Sequence, residues 1–256
     1  MKPCKFKIYA RHPERHQEAI SFLQNSLISA GFENDDNSSL VIVLGGDGAL
    51  LKTLSILGID KKYILINTGH LGFFSDYSID EISKFIVDIT SKEEKEEKLP
   101  IMSVTTKDKE YDFFNDLALQ SDVTSEFIIS LNGKEFTKSR ASGIVLGTAI
   151  SSTGYLASLK SPLVVDEKNI YQYSFVAPIS NRLYPNTIEK AILPLTTKVD
   201  IRINGKEALL IIDGAKKTNI SNCNVQVAFK NKYTTLLHFN DVNDVDRIKR
   251  SITGEE

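Results

Sequence analysis

Leu40-Val41-Ile42-Val43-Leu44-Gly45-Gly46-Asp47-Gly48-Ala49-Leu50-Leu51-Lys52 holds the end of a strand, a turn and the start of a helix. Five consecutive apolar residues, β-branched in the middle and closed by glycine, read as a strand buried on both faces of a parallel sheet. Beyond Gly48 the apolar positions become Leu50, Leu51, Leu54 and Leu57, one face of a short helix. Gly45-Gly46-Asp47-Gly48 therefore lies where a strand hands over to a helix N-terminus. Three glycines around one acid predict a tight turn whose backbone amides are open to an anion. Asp47 then stands beside a phosphate site, where its charge is repelled unless a metal or a reacting hydroxyl intervenes. A purely structural alternative makes Asp47 the cap of a helix beginning at Ala49.

Strand and helix alternate around this stretch. Lys5 to Ala10 reads as a strand, and Pro13 opens a helix with apolar positions Ala19, Phe22, Leu23, Leu27 and Ala30. Tyr63 to Ile66 is a further strand, followed by Asn67-Thr68-Gly69-His70-Leu71-Gly72-Phe73-Phe74 and a helical pattern over Ile79 to Ile89. The expectation is an α/β domain with a parallel sheet up to about Thr90. The charged run Ser91 to Lys98 reads as a solvated helix end or connector, closed by Pro100. After Ile101 short alternating segments take over. They include Tyr111 to Phe114, Phe127 to Leu131 before Asn132-Gly133, Val199 to Ile203 before Asn204-Gly205, Leu209 to Ile212 before Asp213-Gly214, Asn224 to Phe229 and Tyr233 to Phe239. This half reads as all-β layered sheets with one helical interruption near Thr153 to Lys160. The expected division is 1–98, 99–240 and a helical tail, 241–256, that packs back on the first domain.

Composition narrows the function. The 256 residues are 41% hydrophobic and 25% charged, and 31 Lys+Arg against 33 Asp+Glu leave a net charge of −2. No basic field points to nucleic acid or to a membrane surface. Cys4 and Cys223 form neither a disulfide framework nor a zinc spacing, and the four histidines form no metal or triad spacing. His70 reads as loop structure. Met1-Lys2-Pro3-Cys4-Lys5 runs into an alternating strand without a signal segment, so a cytoplasmic chain is expected.

With Gly45-Gly46-Asp47-Gly48 in front, later segments fall into line with one family. Asn67 to Phe73 has the form Asn-x-Gly-x-Leu-Gly-Phe. Phe114-Asn115-Asp116-Leu117 is similar to an Asn-Glu motif with Asp for Glu. Arg140-Ala141-Ser142-Gly143 and Thr148 to Tyr155 are similar to Gly-Asp-Gly and Thr-Pro-Thr-Gly-Ser-Thr-Ala-Tyr, and Ala177 to Arg182 and Asp213-Gly214 to two later signatures. In their order and spacing these segments resemble the NAD kinase family over nearly the whole chain.

The resemblance implies an α/β domain and a β-rich domain with the nucleotide bound between them. It also implies transfer of a phosphate from ATP or polyphosphate, with Mg²⁺ or another divalent cation, to the 2′-hydroxyl of the adenosine ribose of NAD. Members are usually homo-oligomers, dimers or tetramers, whose NAD site borrows residues from a neighbouring subunit. By this resemblance Asp47 is the base for the ribose hydroxyl, and Gly45, Gly46, Gly48 and Lys52 meet phosphates. Gly48, Phe73, Asn115, Asp116, Arg140, Ser142, Thr153, Gly154, Tyr155, Ser158, Ala177 and Ile179 contact NAD. No residue is expected to be a dedicated metal ligand.

Two departures stand out. Ser142 replaces an aspartate on the nicotinamide side, and Ile150 replaces a hydroxyl-bearing residue, which together imply an altered grip on that end of NAD. A non-catalytic NAD(P) sensor, or a lipid or sugar kinase that shares Gly-Gly-Asp-Gly, are the competing readings.

Overall fold

Leu40 to Leu44 forms a strand with every side chain buried, as an uninterrupted apolar run requires in a sheet covered on both faces. The computed structural model describes residues 5–69, 72–184, 188–204, 207–221, 224–241 and 243–253. Cys4, His70, Leu71, Gly205 and Cys223 lie outside the described residues.

Up to Leu99 the elements are β1 (Lys5–Ala10), α1 (Gln17–Ser29), β2 (Glu33–Asn34), β3 (Leu40–Leu44), α2 (Asp47–Leu57), β4 (Lys62–Asn67), β5 (Tyr77–Ser78), α3 (Ile82–Ser91) and the start of β6 (Lys95–Thr105). Then come β7 (Glu110–Phe113), β8 (Asp116–Leu131), β9 (Lys134–Thr148), α4 (Tyr155–Ser158), β10 (Ile170–Val176), β11 (Lys190–Pro194) and β12 (Val199–Asn204). β13 (Glu207–Ile212), β14 (Lys216–Ser221), β15 (Asn224–His238) and α5 (Asp244–Thr253) complete the chain. It divides into two units, Met1–Leu99 with Tyr233–Glu256, and Pro100–Lys232.

In the first unit β2, β1, β3 and β4 run parallel in that order, and β5 and the end of β15 also lie parallel to β4. Ala10, Leu44 and Ile66 sit side by side in the register, so β1, β3 and β4 end together. The residues that follow them share one crest, the position at which open parallel sheets bind ligands. Beneath it Phe6, Leu23, Leu27, Ile42, Ile64, Ile66 and Phe85 form a continuous core.

The second unit is antiparallel. Long β8 pairs with β9 along its length, with β13 over its first half and with β12 over its second, and β10 and β11 extend the β9 side. Asn132 and Gly133, at φ of 49° and 80°, make the tight β8–β9 turn that an Asn-Gly pair predicts. Phe113, Leu117, Phe127, Ile144, Tyr171, Val199 and Leu210 are among its buried core. An α/β unit with a parallel sheet and a β-rich unit are thus both present.

Several local expectations change. Pro13 opens only a 3₁₀ turn, Pro13–Arg15; α1 starts at Gln17 because His16, at φ −130°, leaves helical geometry. Phe22, expected on the buried face of α1, is 51% exposed. The run Ser91 to Lys98 ends α3 and is mostly exposed, but β6 already begins inside it at Lys95. Its charges find partners that strand alternation presents on opposite faces. Glu94 and Glu96 meet Lys62, and Glu97 meets His238 and Arg247. The strand expected from Phe127 begins at Asp116, and a bulge between Gln120 and Ser125 interrupts the alternation that would have revealed it. The interruption near 153–160 is a 3₁₀ turn, Ala149–Thr153, followed by the single turn α4.

Candidate active site

On the crest of the first unit, Gly45 continues the sheet, its N–H donating to the Ile66 carbonyl, and the chain then enters α2. Its φ is +151°, and a Cβ there would overlap the Ala49 side chain, so only glycine makes this handover. Gly46 is the N-cap residue, and Asp47 is already the first residue of α2. Asp47 therefore does not cap a helix starting at Ala49. Its carboxylate leaves its own helix and accepts the N–H of Phe73 (3.1 and 3.0 Å to the two oxygens) and of Phe74 (3.2 Å). One oxygen takes a single hydrogen bond, so acceptor capacity remains for a further donor. Burial raises the Asp47 carboxyl above its ordinary value, opposed by the two amides and by Arg250 and Arg247. That direction makes the carboxylate a stronger base.

The turn opens on a cavity of about 250 Å³ lined by Gly45, Gly46, Gly48, Thr68, Arg11, His12 and His16. Arg11, His12 and His16 were not among the residues singled out by sequence. Arg11 directly follows β1, whose end is in register with that of β3, so the crest rule alone would have found it. Lys52 sits in the second turn of α2, exposed, and is not part of this lining. Gly72 in the facing loop is tightly held, because a Cβ would press on Ser75 Oγ at 2.5 Å and on Asn67 at 3.2 Å.

The second unit gathers a different set. Asp213 stands at φ 47° in the turn after β13. Its carboxylate accepts the N–H groups of Phe114 (3.2 and 3.0 Å), Asn115 (2.7 Å) and Asp116 (3.1 Å). This acceptor comes from a distant strand, so the Asn115–Asp116 pair does not rest on an Asx turn of its own. Asn115 Nδ2 donates to Asp116 Oδ2 at 3.0 Å, and Ser151 Oγ reaches the same oxygen at 3.4 Å. Thr148 Oγ1 donates to the Phe114 carbonyl at 2.9 Å. Tyr155 OH accepts from Gln120 Nε2 at 3.4 Å, and a Cβ at Gly154 would lie 3.6 Å from Asn115 Nδ2. Asn115, Asp116, Gly154 and Tyr155 thus form one polar patch. Burial first, then the Asp213 charge, pushes the Asp116 carboxyl up to about 6.

The model of the ATP-NAD kinase N-terminal domain matches residues 8–95. The NAD kinase of Mycoplasma genitalium is 29% identical over 204 residues, 78% of this chain and 76% of that one. Over this part of its length the chain is similar to NAD kinases. Its fold is shared with two solved structures. An NAD kinase from Archaeoglobus fulgidus in complex with ATP aligns with a TM-score of 0.74 at 19% identity, covering 97% of this chain and 99% of that one. Yeast NADH kinase complexed with NADH gives 0.78 at 18% identity over 99% and 88%.

The remaining residues that the family resemblance singles out are spread more widely. Thr153 Oγ1 donates to the Ile150 carbonyl, and exposed Ser158 donates to the Tyr155 carbonyl. Arg140 lies seven positions before Gly147 on β9, about 23 Å along a strand. Its guanidinium donates to Tyr184 OH and the Thr124 carbonyl and lies over the Tyr184 ring. Ser142 is half-buried two residues further along β9. Ile179 donates its N–H to the Arg140 carbonyl, and Ala177 is exposed at φ 47°. Phe73 is half-buried, edge-on to Phe74.

The raised Asp116 carboxyl has a stability consequence. Its protonated form is favoured by the fold, so the stability it contributes is complete below its ordinary value of 3.8 and is lost as pH rises through about 6. Asp116→Asn keeps an oxygen for Asn115 and Ser151 without the charge. It is expected to be no more stable than the parent near pH 4 and more stable by up to about 3 kcal/mol at pH 7. Urea denaturation at both pH values checks this, and equal midpoint differences at the two would contradict it.

Proposed function

We propose that the chain transfers the terminal phosphate of ATP to the 2′-hydroxyl of the adenosine ribose of NAD, giving NADP. The observation that carries this reading is the Asp47 carboxylate, held by two loop amides at a glycine turn that opens on a cavity lined by Arg11.

Phosphoryl transfer needs alignment of a hydroxyl with phosphorus and compensation of charge more than covalent chemistry. Asp47 accepts the ribose proton as the 2′-oxygen bonds to the γ-phosphorus, and ADP leaves with the electrons of the broken P–O bond. The amides at Gly46 and Gly48 and the Arg11 guanidinium offset phosphate charge. Asn115 and Asp116 present donor and acceptor edges for the adenosine, with Tyr155 as the flat surface beside them. Holding Asp116 where ionisation is costly is the kind of stability loss that binding sites carry.

Among the described residues no group of three or more His, Cys, Asp or Glu side chains is placed to hold a metal ion. In this reading Mg²⁺ or another divalent cation arrives on the triphosphate as part of the donor, keeping much of its water. Polyphosphate is the alternative donor. Among the described residues no helix is long and apolar enough to cross a membrane. A cytoplasmic homo-oligomer, dimer or tetramer, completes the proposal.

Incubation with NAD and MgATP or Mg-polyphosphate, followed by detection with an NADP-specific dehydrogenase, tests it. NADP formed with either donor supports the assignment, and none with both overturns it.

A further inference from the structure

The loop that grips Asp47 is itself gripped from behind. Asp76 Oδ2 lies 2.8 Å from His238 Nδ1, and the other ring nitrogen, Nε2, lies 2.9 Å from Glu97 Oε2. Arg247 Nη1 reaches both Glu97 oxygens, at 3.1 and 2.9 Å, and its guanidinium lies 5.8 Å from the centre of the Phe73 ring. Arg250, one turn further along α5, donates from Nη2 to the Ser75 carbonyl at 2.9 Å. The side chains of Asp76, His238 and Arg247 are 4%, 9% and 2% exposed.

A carboxylate at each ring nitrogen favours the doubly protonated ring of His238, against the Arg247 guanidinium, whose Nη2 lies 3.2 Å from Nε2. Burial and Arg247 oppose that charge, but Asp76 and Glu97 hold His238 above its ordinary value. Asp244 lies 3.6 Å from Arg247. A buried ionic cluster of this kind adds little net stability over well-packed apolar side chains, and its best-attested use is to fix one arrangement. What it fixes here is the backbone of residues 73–76, of which the Phe73 and Phe74 amides donate to Asp47.

We propose that α5 completes the catalytic centre of the first unit: Arg247 and Arg250 are positioning residues that hold the 73–76 loop, and through it the Asp47 carboxylate, in the orientation that receives the acceptor's proton. His238, keyed between Asp76 and Glu97, pins the loop to β6. The proposal rests on Asp47 being the base. The groups acting on Asp47 are the Phe73 and Phe74 amides, Arg247 and Arg250. Loss of one arginine therefore changes both the aim and the acidity of the carboxyl.

The test compares wild type with Arg250→Met, Arg250→Lys and Asp47→Asn, reading kcat, KM for NAD and the pH dependence of kcat. The Asp47 carboxyl titration is followed in parallel by ¹³C NMR. Arg250→Met is expected to lower kcat at least tenfold with KM for NAD within about twofold. The acidic limb of its kcat profile and the Asp47 titration should both move to higher pH, and Arg250→Lys should restore much of both. A folded Arg250→Met with unchanged kcat and unchanged Asp47 titration overturns the proposal. If Arg250→Met does not fold, Arg250→Gln carries the test: an Asp47 titration and kcat both unmoved despite loss of the charge and of the guanidinium contact to Ser75 overturns it. If Asp47→Asn retains full activity, the base assignment fails and this proposal fails with it. If Asp47→Asn is inactive while Arg250→Met behaves as wild type, only this proposal fails.

Discussion

Asparagine at position 47 is expected to lower kcat for NADP formation about 10²–10⁴-fold, with KM for NAD changed by less than about threefold. The substitution keeps the size of the side chain and one oxygen for the Phe73 and Phe74 amides, but removes the carboxylate proposed to accept the proton. In the wild type the base must be ionised, so kcat rises with pH through the Asp47 value. Burial places that limb above the ordinary carboxylate range. The variant should show a flat acidic side, because its residual rate comes from alignment of donor and acceptor alone. Steady-state rates between pH 4.5 and 8 check both features. An Asp47→Asn enzyme with more than about a tenth of wild-type kcat and the same acidic limb would remove Asp47 from the chemistry.

The β3–α2 handover was readable because both of its signals are local. An apolar run marks the buried strand, and a glycine marks the one position, Gly45, where a Cβ would strike the helix. The Asn132-Gly133 turn was readable for the same reason. What surrounds Asp47 was not. Its partners are main-chain amides, which have no residue signature, and they lie 26 and 27 positions away. The braces behind them join Asp76 to His238 and Glu97 to Arg247 over 162 and 150 positions. In sequence these residues look like ordinary surface charges. Glu97 even sits in a run that composition assigns to solvent, and only strand alternation in β6 turns it inward. The start of β8 was hidden by its bulge, where Ser121 to Thr124 break the period on which a strand reading depends.

Asp213 shows the same long-range dependence with the larger energetic effect, and Asp213→Ala is expected to cost about 3–5 kcal/mol. Three backbone N–H groups, at Phe114, Asn115 and Asp116, lose their acceptor together, in a segment whose Phe114 and Asp116 are buried. Each N–H left without a partner costs about 1–3 kcal/mol, partly offset because burial already makes the Asp213 carboxylate costly to ionise. Alanine also fits poorly at φ 47°, a conformation that Asp and Asn tolerate. Asp213→Asn keeps that tolerance and one oxygen, so its loss should be roughly half as large, and urea denaturation of the two variants separates backbone strain from lost hydrogen bonds. A loss below about 1 kcal/mol in Asp213→Ala would mean that the segment finds other acceptors. The kinetic signature follows from what the carboxylate holds. It fixes the Asn115–Asp116 edge, so in conditions where Asp213→Asn stays folded KM for NAD should rise more than kcat falls. Asp47→Asn is expected to show the opposite split, and that pair of results would place proton removal in the first unit and adenosine recognition in the second.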